Sequence, residues 1–462
     1  MTLITSISGI RGTIGGKPGD ALTPVDVVRF SAAFAAWVKN NYKGNARPRI
    51  ALGRDARVSG PMVQLLVQGT LQASGIDVLD LGLSTTPTVE VAVTENDCQA
   101  GIILTASHNP AQWNALKLLN EKGEFISAAD GEELMRLIKT ESYSFCEVED
   151  LGQVTEDMES IEKHIELVLK CEGVDAKAIA AANLKVVVDA VNSTGGMAIP
   201  AVLKALGVKQ IKELYCTPNG DFPHNPEPLP ENLKEISALV KAEKADLGIV
   251  VDPDVDRLAL VCEDGSMFGE EYTLVAVADH VLSYRPGPTV SNLSSSRALR
   301  DVTRKHGQEY YASAVGEVNV VNKMKEVKAS IGGEGNGGII DPALHYGRDA
   351  ILGVALFLTH YVKKGMSMTA LKASYPVYAM SKNKIQLSPE VDVDALLRSV
   401  QETYANEELS TIDGVKIDFK EGWVHLRRSN TEPIIRVYSE AATAAEAEAL
   451  AGKIMDHVSS MV

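Results

Sequence analysis

The sequence predicts an α/β fold divided into several domains, with a different, α+β arrangement at the C-terminal end. The chain has 462 residues, and at about 150 residues per domain this length favours three or four domains. Apolar runs of strand length alternate with amphipathic helical stretches through most of it, as in α/β layers with parallel or mixed sheets. Hydrophobic residues make up 45% and charged residues 23% of the chain, which is the balance of a globular protein with a sizeable core.

Particular segments support this prediction. Four apolar runs have the length and composition of buried strands, at residues 49–53, 100–106, 184–190 and 245–252. Two stretches have the spacing of amphipathic helices, at residues 23–42 and 60–75. In the tail, three short strand-like runs lie at residues 415–419, 423–428 and 434–440, and an Ala/Glu-rich helical stretch follows them at residues 443–458. Strands followed by a helix in this way indicate a small, separate α+β domain.

Three interruptions divide the chain. An acidic stretch at residues 140–163 resembles a linker or a surface helix, a turn follows the strand that ends near residue 262, and a third break falls between residues 366 and 386. We therefore predict four domains, at residues 1–153, 154–264, 265–370 and 371–462.

Charge and cysteine content restrict the function classes. The formal net charge is −16, which repels phosphate backbones and argues against nucleic-acid binding. The five cysteines are scattered, without a CxxC or a Cys/His cluster, so neither a disulfide framework nor a zinc site is indicated, and the expected location is cytoplasmic. No apolar stretch approaches the roughly 20 residues of a membrane helix, and the N-terminus does not resemble a secretion signal, so no membrane partner is expected.

The string TASHNP, residues 105–110, places a serine directly after a predicted buried strand. Open α/β sheets bind ligands at the carboxyl ends of their strands, which is where Ser107 lies. A hydroxyl becomes reactive when a neighbouring group can accept or return its proton, and His108 and Lys117 are candidates for that group. On base rates most such strings are capped Asn-Pro turns without a function, so this motif needs independent support.

The string DPDVDR, residues 252–257, follows another predicted strand. Three carboxylates alternate along it, at Asp252, Asp254 and Asp256. They can converge on a hard cation such as Mg²⁺, which prefers oxygen ligands. Glu263 falls at the twelfth position of a calcium-binding EF-hand, but Arg257 stands where that loop requires glycine, and the flanks are strands. Unless a cation or an arginine compensates them, three close carboxylates repel one another, so a metal site is favoured over a solvated turn.

The Gly-rich string GGEGNGG, residues 332–338, contains a literal GxGxxG. A dinucleotide site would require a helix to follow, but Pro342 interrupts any such helix. Glycines let the backbone approach a ligand closely, and Glu334 and Asn336 can hydrogen-bond sugar hydroxyls. A surface loop without a function is the open alternative.

Basic residues concentrate in the string LRRSNTEPIIR, residues 426–436. It combines a guanidinium with hydroxyls and backbone N–H groups on one short loop, as phosphate binding requires. Its candidate phosphate ligands are Arg427, Ser429, Asn430 and Thr431. The N-terminal string SGIRG, residues 8–12, adds Arg11. In so acidic a chain these local cations favour a phosphorylated ligand; a plain turn before an edge strand is the alternative.

Taken in order, SGIRG, GRDAR, TASHNP with Lys117, DPDVDR, GGEGNGG and RRSNTEP resemble the α-D-phosphohexomutase superfamily. That superfamily includes phosphoglucomutases, phosphomannomutases and phosphoglucosamine mutases. The resemblance spans nearly the whole chain, including residues 188–196 and 219–233. It implies three related mixed-sheet α/β domains and a C-terminal α+β domain around a central cleft. In chain order these domains would carry the phosphoserine loop, the metal loop, the sugar-binding loop and the phosphate-binding loop.

The resemblance also assigns roles to individual residues. Ser107 would be the phosphoserine, and its phosphate would complete a Mg²⁺ site with Asp252, Asp254 and Asp256. The other residues that match the family's phosphoryl-transfer site are Arg11, His108, Lys117 and Arg257. Those that match its sugar-reading loop and its distal phosphate clamp are Glu334, Asn336, Arg427, Ser429, Asn430 and Thr431.

The implied reaction moves a phosphoryl group between the 6- and 1-positions of a hexose or hexosamine phosphate, through a bound sugar 1,6-bisphosphate. Gly338, where phosphomannomutase/phosphoglucomutase enzymes often have histidine, favours glucosamine phosphate as the substrate. Pro253 replaces a glycine of many relatives and restricts the metal loop. The alternatives are a phosphomannomutase or phosphoglucomutase, or a sugar-phosphate phosphatase or binding protein on the same fold. The expected partner is a small sugar phosphate, and the chain is expected to be a monomer or homodimer.

Overall fold

The computed structural model describes residues 2–6, 9–387, 392–428 and 434–459. The chain divides into two compact units. The first contains the residues up to His280 together with Asn336–Leu371, and the second contains Val281–Gly335 and the chain from Lys372 onward.

A seven-stranded mixed sheet begins the first unit. Its strands are β1 (Ile4–Ser6), β2 (Gly9–Thr13), β3 (Arg49–Arg54), β4 (Asp77–Leu83), β5 (Ala100–Leu104), β6 (Trp113–Leu119) and β7 (Val154–Glu156). They lie in the order β1-β2-β6-β5-β3-β4-β7, and β5, β3, β4 and β7 run parallel. The helices of this part are α1 (Pro24–Asn41), α2 (Gly60–Ala73), α3 (Thr86–Glu95) and α4 (Ala128–Lys139).

Local sequence explains where the first helix begins. The Thr23 hydroxyl accepts a hydrogen bond from Asp26 N while the Asp26 carboxylate accepts one from Thr23 N, which forms a capping box. Pro24 supplies the backbone angle of the first helical turn. The apolar face of α1, including Phe30 and Phe34, packs into a core shared with β3, β5 and α2.

The acidic stretch at residues 140–163 differs from the linker or surface helix predicted for it. It contains a short 3-10 helix at Val148–Asp150 and then β7, which pairs parallel with β4. All three residues of β7 are exposed. An edge strand that buries no side chain has no apolar alternation in its sequence, so hydrophobic patterning could not reveal it.

A second, four-stranded mixed sheet follows in the first unit. Its strands are β8 (Lys185–Asp189), β9 (Gln210–Leu214), β10 (Leu247–Val251) and β11 (Leu258–Cys262), in the order β11-β10-β8-β9. Only the β10–β11 pair of this sheet is antiparallel. The accompanying helices are α5 (Ser160–Lys170), α6 (Ala176–Ala182), α7 (Gly195–Ala205) and α8 (Lys234–Glu243), with a 3-10 helix at Pro230–Asn232.

The chain enters the second unit within α9 (Glu270–Tyr284). There, three parallel strands lie in the order β13-β12-β14, with the bounds β12 (Thr289–Asn292), β13 (Tyr310–Ser313) and β14 (Ile331–Glu334). The helices α10 (Arg297–Lys305) and α11 (Glu317–Val327) connect them.

The chain then returns to the first unit with β15 (Gly338–Ile340) and α12 (Ala350–Lys364), and it leaves this unit within α13 (Met368–Ala373). α12 begins where the Asp349 carboxylate accepts hydrogen bonds from the N–H groups of Ile351 and Leu352. It ends at Gly365, whose φ of 62° is the left-handed conformation that favours glycine.

The C-terminal part of the second unit is a five-stranded antiparallel sheet with two helices. Its strands are β16 (Ala379–Gln386), β17 (Glu408–Ser410), β18 (Val415–Asp418), β19 (Gly422–Arg428) and β20 (Ile434–Ala441), in the order β16-β20-β19-β18-β17. Its helices are α14 (Val393–Thr403) and α15 (Ala444–Ser459).

These observations confirm the predicted fold class of mixed-sheet α/β parts followed by an α+β part. They also confirm two exclusions made from sequence. The acidic loop lies between strands β10 and β11, unlike an EF-hand, and the GxGxxG string leads into β15 and not into a helix. Within the described ranges, none of the helices has both the length and the apolar character needed to cross a membrane.

Candidate active site

Ser107 lies in the loop that follows β5, at the carboxyl end of that strand. Its backbone adopts a left-handed conformation with φ of 48°, which costs a non-glycine residue roughly 1–3 kcal/mol unless the surroundings hold it. Ser107 N donates to Thr105 Oγ1 at 2.9 Å, and Thr105 Oγ1 donates to Asp55 Oδ2 at 2.7 Å. The serine is therefore held by a buried carboxylate through a threonine.

Arg57 holds the same loop from the other side. Its side chain is fully buried and its Nε donates to Asp55 Oδ2 at 2.9 Å. The remaining guanidinium nitrogens donate to four carbonyl oxygens of the serine loop, those of Ser107, Asn109, Pro110 and Trp113. A planar fork of donors can satisfy so many acceptors at once, which a lysine cannot do. No role was predicted for this arginine, since only the resemblance singled out the GRDAR string.

The acidic loop after β10 brings its three carboxylates together. Asp252, Asp254 and Asp256 are all 0% exposed, and their ligand oxygens lie within 4.8 Å of one another. Ser107 Oγ donates to Asp252 Oδ2 at 2.7 Å, across 145 residues of sequence. The predicted meeting of the serine hydroxyl and the acidic trio is thus present.

This cluster has the donor set of a hard divalent cation. Asp254 Oδ1 and Asp256 Oδ1 are buried, and neither has a hydrogen-bond partner among the described residues. Burial, with the neighbouring Asp256 and Asp254, raises the pKa of Asp252 well above its usual range. Buried carboxylate oxygens without partners are costly unless a cation pairs with them, and three carboxylates with a serine oxygen suit Mg²⁺. The residues present therefore fit the ion.

Two cationic side chains, those of Lys117 and Arg348, compensate the negative charge of the acidic trio. Lys117 Nζ lies 2.6 Å from Asp254 Oδ2 and 3.3 Å from Asp256 Oδ2. Burial alone would raise the pKa of Asp254, but the Lys117 ammonium outweighs it and lowers that pKa. Arg348 Nη2 donates to Asp256 Oδ2 at 2.7 Å. Arg348 was not recognised from the sequence, and no motif marked it.

The predicted Arg257 and Glu263 have different surroundings. Arg257 N donates to Asp252 Oδ1 at 3.2 Å, and its guanidinium lies 3.9 Å from Asp256 Oδ1. Glu263 accepts a hydrogen bond from Thr369 N at 3.1 Å and so anchors α13. Its place at the twelfth position of the loop therefore has a structural explanation.

His108 and Arg11 complete the surroundings of the serine. His108 Nδ1 lies 3.3 Å from Ser107 Oγ. Burial, together with the positive charge of Arg257, lowers the pKa of His108 well below its ordinary value, which favours the neutral imidazole. Arg11 on β2 and Lys117 on the adjacent β6 line, with Ser107 and His108, a cavity of about 50 Å³. The cavity places positive charge next to the serine hydroxyl.

Gly338 has a steric explanation. A Cβ atom at this position would lie 2.3 Å from Cδ of Arg348, so the stem of Arg348 occupies the space of any side chain there. Neighbouring Asn336 accepts a hydrogen bond from Gly338 N at 3.2 Å through its side-chain oxygen. A glycine at 338 thus accompanies an arginine that reaches the acidic trio.

The remaining predicted residues fall in or near the second unit. Glu334 ends β14, is 6% exposed, and accepts hydrogen bonds from Asn292 Nδ2 at 2.9 Å and Gly316 N at 3.3 Å. Arg427 lies on β19 opposite Arg436 of β20. The other predicted clamp residues, Ser429, Asn430 and Thr431, lie outside the described residues.

Comparison with known proteins identifies the family. Four models of phosphoglucomutase/phosphomannomutase domains match the chain: α/β/α domain I at residues 3–144, α/β/α domain II at 162–265, α/β/α domain III at 269–378 and the C-terminal domain at 382–457. A phosphoglucomutase/phosphomannomutase of Thermococcus kodakarensis is 34% identical over 93% of this chain and 94% of its own. A probable phosphoglucosamine mutase of Methanopyrus kandleri is 32% identical over 98% of this chain and 96% of its own.

Among solved structures, a phosphoglucomutase/phosphomannomutase family protein of Burkholderia thailandensis matches with a TM-score of 0.85 and 27% identity, over 98% of this chain and 97% of the other. The domain models together cover most of the sequence, and the relatives exceed 30% identity over nearly its full length. This chain belongs to the phosphoglucomutase/phosphomannomutase family of phosphohexomutases.

Proposed function

We propose that this phosphohexomutase is a phosphoglucosamine mutase that moves a phosphoryl group between the 6- and 1-positions of a hexosamine phosphate, with Ser107 as the phosphoryl carrier. The observation that carries the proposal is the 2.7 Å hydrogen bond from Ser107 Oγ to Asp252 Oδ2, which joins the serine loop to the acidic trio. A hydroxyl at a cation-binding cluster is where a phosphoryl group can be both held and neutralised. The alternative substrates are mannose or glucose phosphate.

In the first half-reaction the bond from phosphorus to Ser107 Oγ breaks, and phosphorus bonds to the free hydroxyl oxygen of the sugar monophosphate. The sugar hydroxyl loses its proton and the serine oxygen regains one. His108, whose Nδ1 lies 3.3 Å from Ser107 Oγ, is placed to move a proton at that oxygen. The sugar 1,6-bisphosphate then turns end for end, and its other phosphate returns to the serine by the reverse steps.

Charge stabilisation is the main task of this site, because the transferring group carries negative charge spread over three oxygens. Lys117, Arg11 and Arg257 supply fixed positive charge next to Ser107. Mg²⁺, held by Asp252, Asp254 and Asp256, would supply further neutralisation of the phosphoryl oxygens. Arg348 positions Asp256 for that task.

Substrate recognition is assigned to the other predicted residues. Glu334 and Asn336 would bind sugar hydroxyls. The phosphate that is not reacting would be bound by Arg427, Ser429, Asn430 and Thr431. The proposed domains carry these loops in turn, with boundaries at residues 1–153, 154–264, 265–370 and 371–462.

Intact-mass measurement tests the role of the serine. The wild-type protein should carry one phosphate after incubation with a sugar bisphosphate, and Ser107→Ala should carry none and lose mutase turnover by at least 10³-fold, since the phosphoryl carrier is gone. Ser74→Ala is the matched control, because Ser74 is also buried and its hydroxyl also donates to a carbonyl oxygen, that of Thr70 in α2, which belongs to neither site loop. A phosphate retained by Ser107→Ala would contradict the assignment.

Comparing glucosamine, glucose and mannose phosphates, each primed with trace bisphosphate, tests the substrate. We expect all three to react and glucosamine phosphate to have the highest kcat/KM. Release of free phosphate in step with substrate loss would indicate a phosphatase. Binding of the sugar phosphate without turnover would indicate a binding protein. A preference for mannose phosphate would leave the mutase chemistry standing and change the substrate.

A further inference from the structure

A buried cluster of two histidines and two carboxylates lies in the first unit, outside the phosphoryl-transfer site. His164 Nε2 and His345 Nε2 both contact Asp349 Oδ2, at 3.0 and 3.2 Å. His345 Nδ1 lies 3.3 Å from Glu90 Oε2, and His164 Nδ1 lies 3.0 Å from Thr88 Oγ1. Four of these side chains are at most 1% exposed and that of His345 is 9% exposed. We call this set the histidine cluster.

The histidine cluster connects three helices, α3, α5 and α12. It contacts α3 and α12 near their N-termini. Thr88 and Glu90 belong to the first turn and a half of α3, His164 belongs to α5, and Asp349 caps the N-terminus of α12. His164 makes hydrogen bonds through both ring nitrogens, so it connects α12 to α3 from within α5. His345 bonds Asp349 through Nε2, and its Nδ1 lies 3.3 Å from the Glu90 carboxylate, so it connects α12 to α3 as well.

The same two helix N-termini hold the acidic loop. Thr86, the first residue of α3, donates from its backbone N–H to Asp254 O at 2.8 Å, and its hydroxyl donates to Asp254 Oδ2. On the other side, Ala350 N, the first residue of α12, donates to Val255 O at 3.2 Å. Arg348, two residues before α12, donates to Asp256 Oδ2. Hydrogen bonds thus hold the loop between the two helix N-termini that the histidine cluster joins.

The acidic loop requires these hydrogen bonds because its backbone is strained. Val255 has φ of 64°, which is a genuine outlier for a β-branched residue. Such a conformation persists only where the surrounding structure over-determines it. If α3 and α12 separate slightly, the hydrogen bonds at Asp254 O and Val255 O weaken together and the three carboxylates are free to spread.

We propose that the histidine cluster is a positioning device for the metal site: by holding the N-termini of α3 and α12 together, His345 and His164 keep the acidic loop in its cation-binding shape. These residues touch neither the serine nor the acidic trio in the described contacts, so they act through Thr86, Arg348 and Ala350. The inference rests on the proposed function, because the acidic trio is taken as the metal site of the mutase.

The test measures Mn²⁺ binding directly, as a spectroscopic substitute for Mg²⁺, in wild-type protein and in His345→Gln. Electron paramagnetic resonance gives the dissociation constant without any turnover, on preparations whose phosphorylation of Ser107 is matched by intact mass. We expect His345→Gln to bind Mn²⁺ at least fivefold more weakly. In the mutase assay we expect the Mg²⁺ concentration for half-maximal activity to rise by a similar factor, with the KM for sugar phosphate within twofold of the wild type.

His360→Gln is the matched control. His360 is also a buried histidine of α12, 3% exposed and 3.5 Å from the Asp279 carboxylate, but it lies ten residues from the N-terminus of the helix, or about 15 Å along it. It should lower thermal stability without changing Mn²⁺ affinity. If His345→Gln fails to fold, it is replaced by Thr88→Val, which at nearly constant volume removes the hydroxyl that contacts His164 Nδ1 and Thr85 Oγ1. The expected loss of Mn²⁺ affinity is then smaller, about twofold.

Three results would overturn the inference. One is unchanged Mn²⁺ affinity in a folded His345→Gln protein; another is an equal loss of affinity in His360→Gln, since a general loss of stability would then explain both. The third is a tightly bound second metal in the purified wild type that disappears in His164→Asn, since the imidazoles would then be metal ligands. A wild type that binds Mn²⁺ at the trio but lacks mutase turnover would instead contradict the proposed function and leave the inference intact.

Discussion

Ser107 and Val255 both adopt left-handed backbone conformations, with φ of 48° and 64°. These are the residues whose loops meet at the site, and each is held by buried polar contacts: Arg57 holds the serine loop, and Thr86 and Ala350 hold the acidic loop. The strain of each residue, roughly 1–3 kcal/mol, is offset by these contacts. At the residue scale the site is therefore maintained by neighbours that carry out no chemistry.

Arg57→Lys tests this at the serine loop. Lysine keeps a positive charge near Asp55 but loses the planar fork that reaches four carbonyl oxygens. We expect the free energy of unfolding, measured by urea titration, to fall by about 3 kcal/mol, and kcat to fall at least tenfold because Ser107 is no longer held in place. Arg54→Lys is the control, since Arg54 is only partly buried and donates to Gln64 Oε1 and Asp55 O, and in the described contacts to no carbonyl oxygen of the serine loop. Wild-type kcat in Arg57→Lys would contradict the positioning role.

At the scale of elements, the important contacts are those at helix N-termini. α3 and α12 both point their first N–H groups at the acidic loop, where the partial positive charge of a helix N-terminus stabilises carboxylates. Asp349 caps the N-terminus of α12, and its carboxylate also binds both histidines. Helix capping, loop geometry and the histidine cluster are therefore parts of one arrangement.

The pH dependence of stability reports on this arrangement. His345 faces the carboxylates of Glu90 and Asp349 and the imidazole of His164. Burial alone would lower the pKa of His345, but its hydrogen bond to Asp349 and the nearby carboxylate of Glu90 raise that pKa to about 10. A raised pKa means that the protonated form is favoured by folding, so its contribution is fully present below pH ~6.5 and is lost as pH rises through about 10.

We therefore expect the wild type to exceed His345→Gln in free energy of unfolding by the largest margin near pH 6, and by a much smaller margin at pH 10.5. Urea titrations of both proteins at the two pH values measure this. A margin that stays constant between these pH values would show that His345 is not held as a cation.

At the scale of the whole molecule, the second unit joins residues 281–335 to the C-terminal domain through a buried arginine. Arg297, at the start of α10 and 9% exposed, donates to the Asp418 carboxylate at 2.8 Å and to the carbonyl oxygens of Phe419 and Gly422. Its backbone N–H and the Trp423 indole both donate to Glu440, which is 0% exposed. Glu334 of the predicted sugar loop and Arg427 of the predicted phosphate clamp thus belong to a unit with a shared polar core.

Arg297→Met tests how strongly that core holds the second unit. Methionine fills similar space but leaves Asp418 and two carbonyl oxygens without their donor, so we expect local stability to fall by about 3 kcal/mol. Hydrogen exchange of the β19 and β20 amides measures this, with faster exchange expected in the variant. Arg300→Met on the same helix is the control, because Arg300 is 24% exposed and its only close carboxylate in the described contacts is Asp301. Equal exchange in Arg297→Met and the wild type would contradict the expectation.

The sequence by itself determined the fold class, the serine and acidic loops, and the family. Buried strands such as β5 and β10 are long apolar runs, and the motifs that follow them are short and local, so both can be read from neighbouring residues. Their meeting across 145 residues was also predicted, through the resemblance. Only the tertiary structure decided which side chains hold the site. Arg57, Arg348 and the histidine cluster lie in no motif with a chemical signature, and their roles arise from contacts between segments distant in sequence. The exposed strand β7 was missed for a related reason: its pairing with β4 is made by backbone hydrogen bonds, which leave no pattern in the side chains.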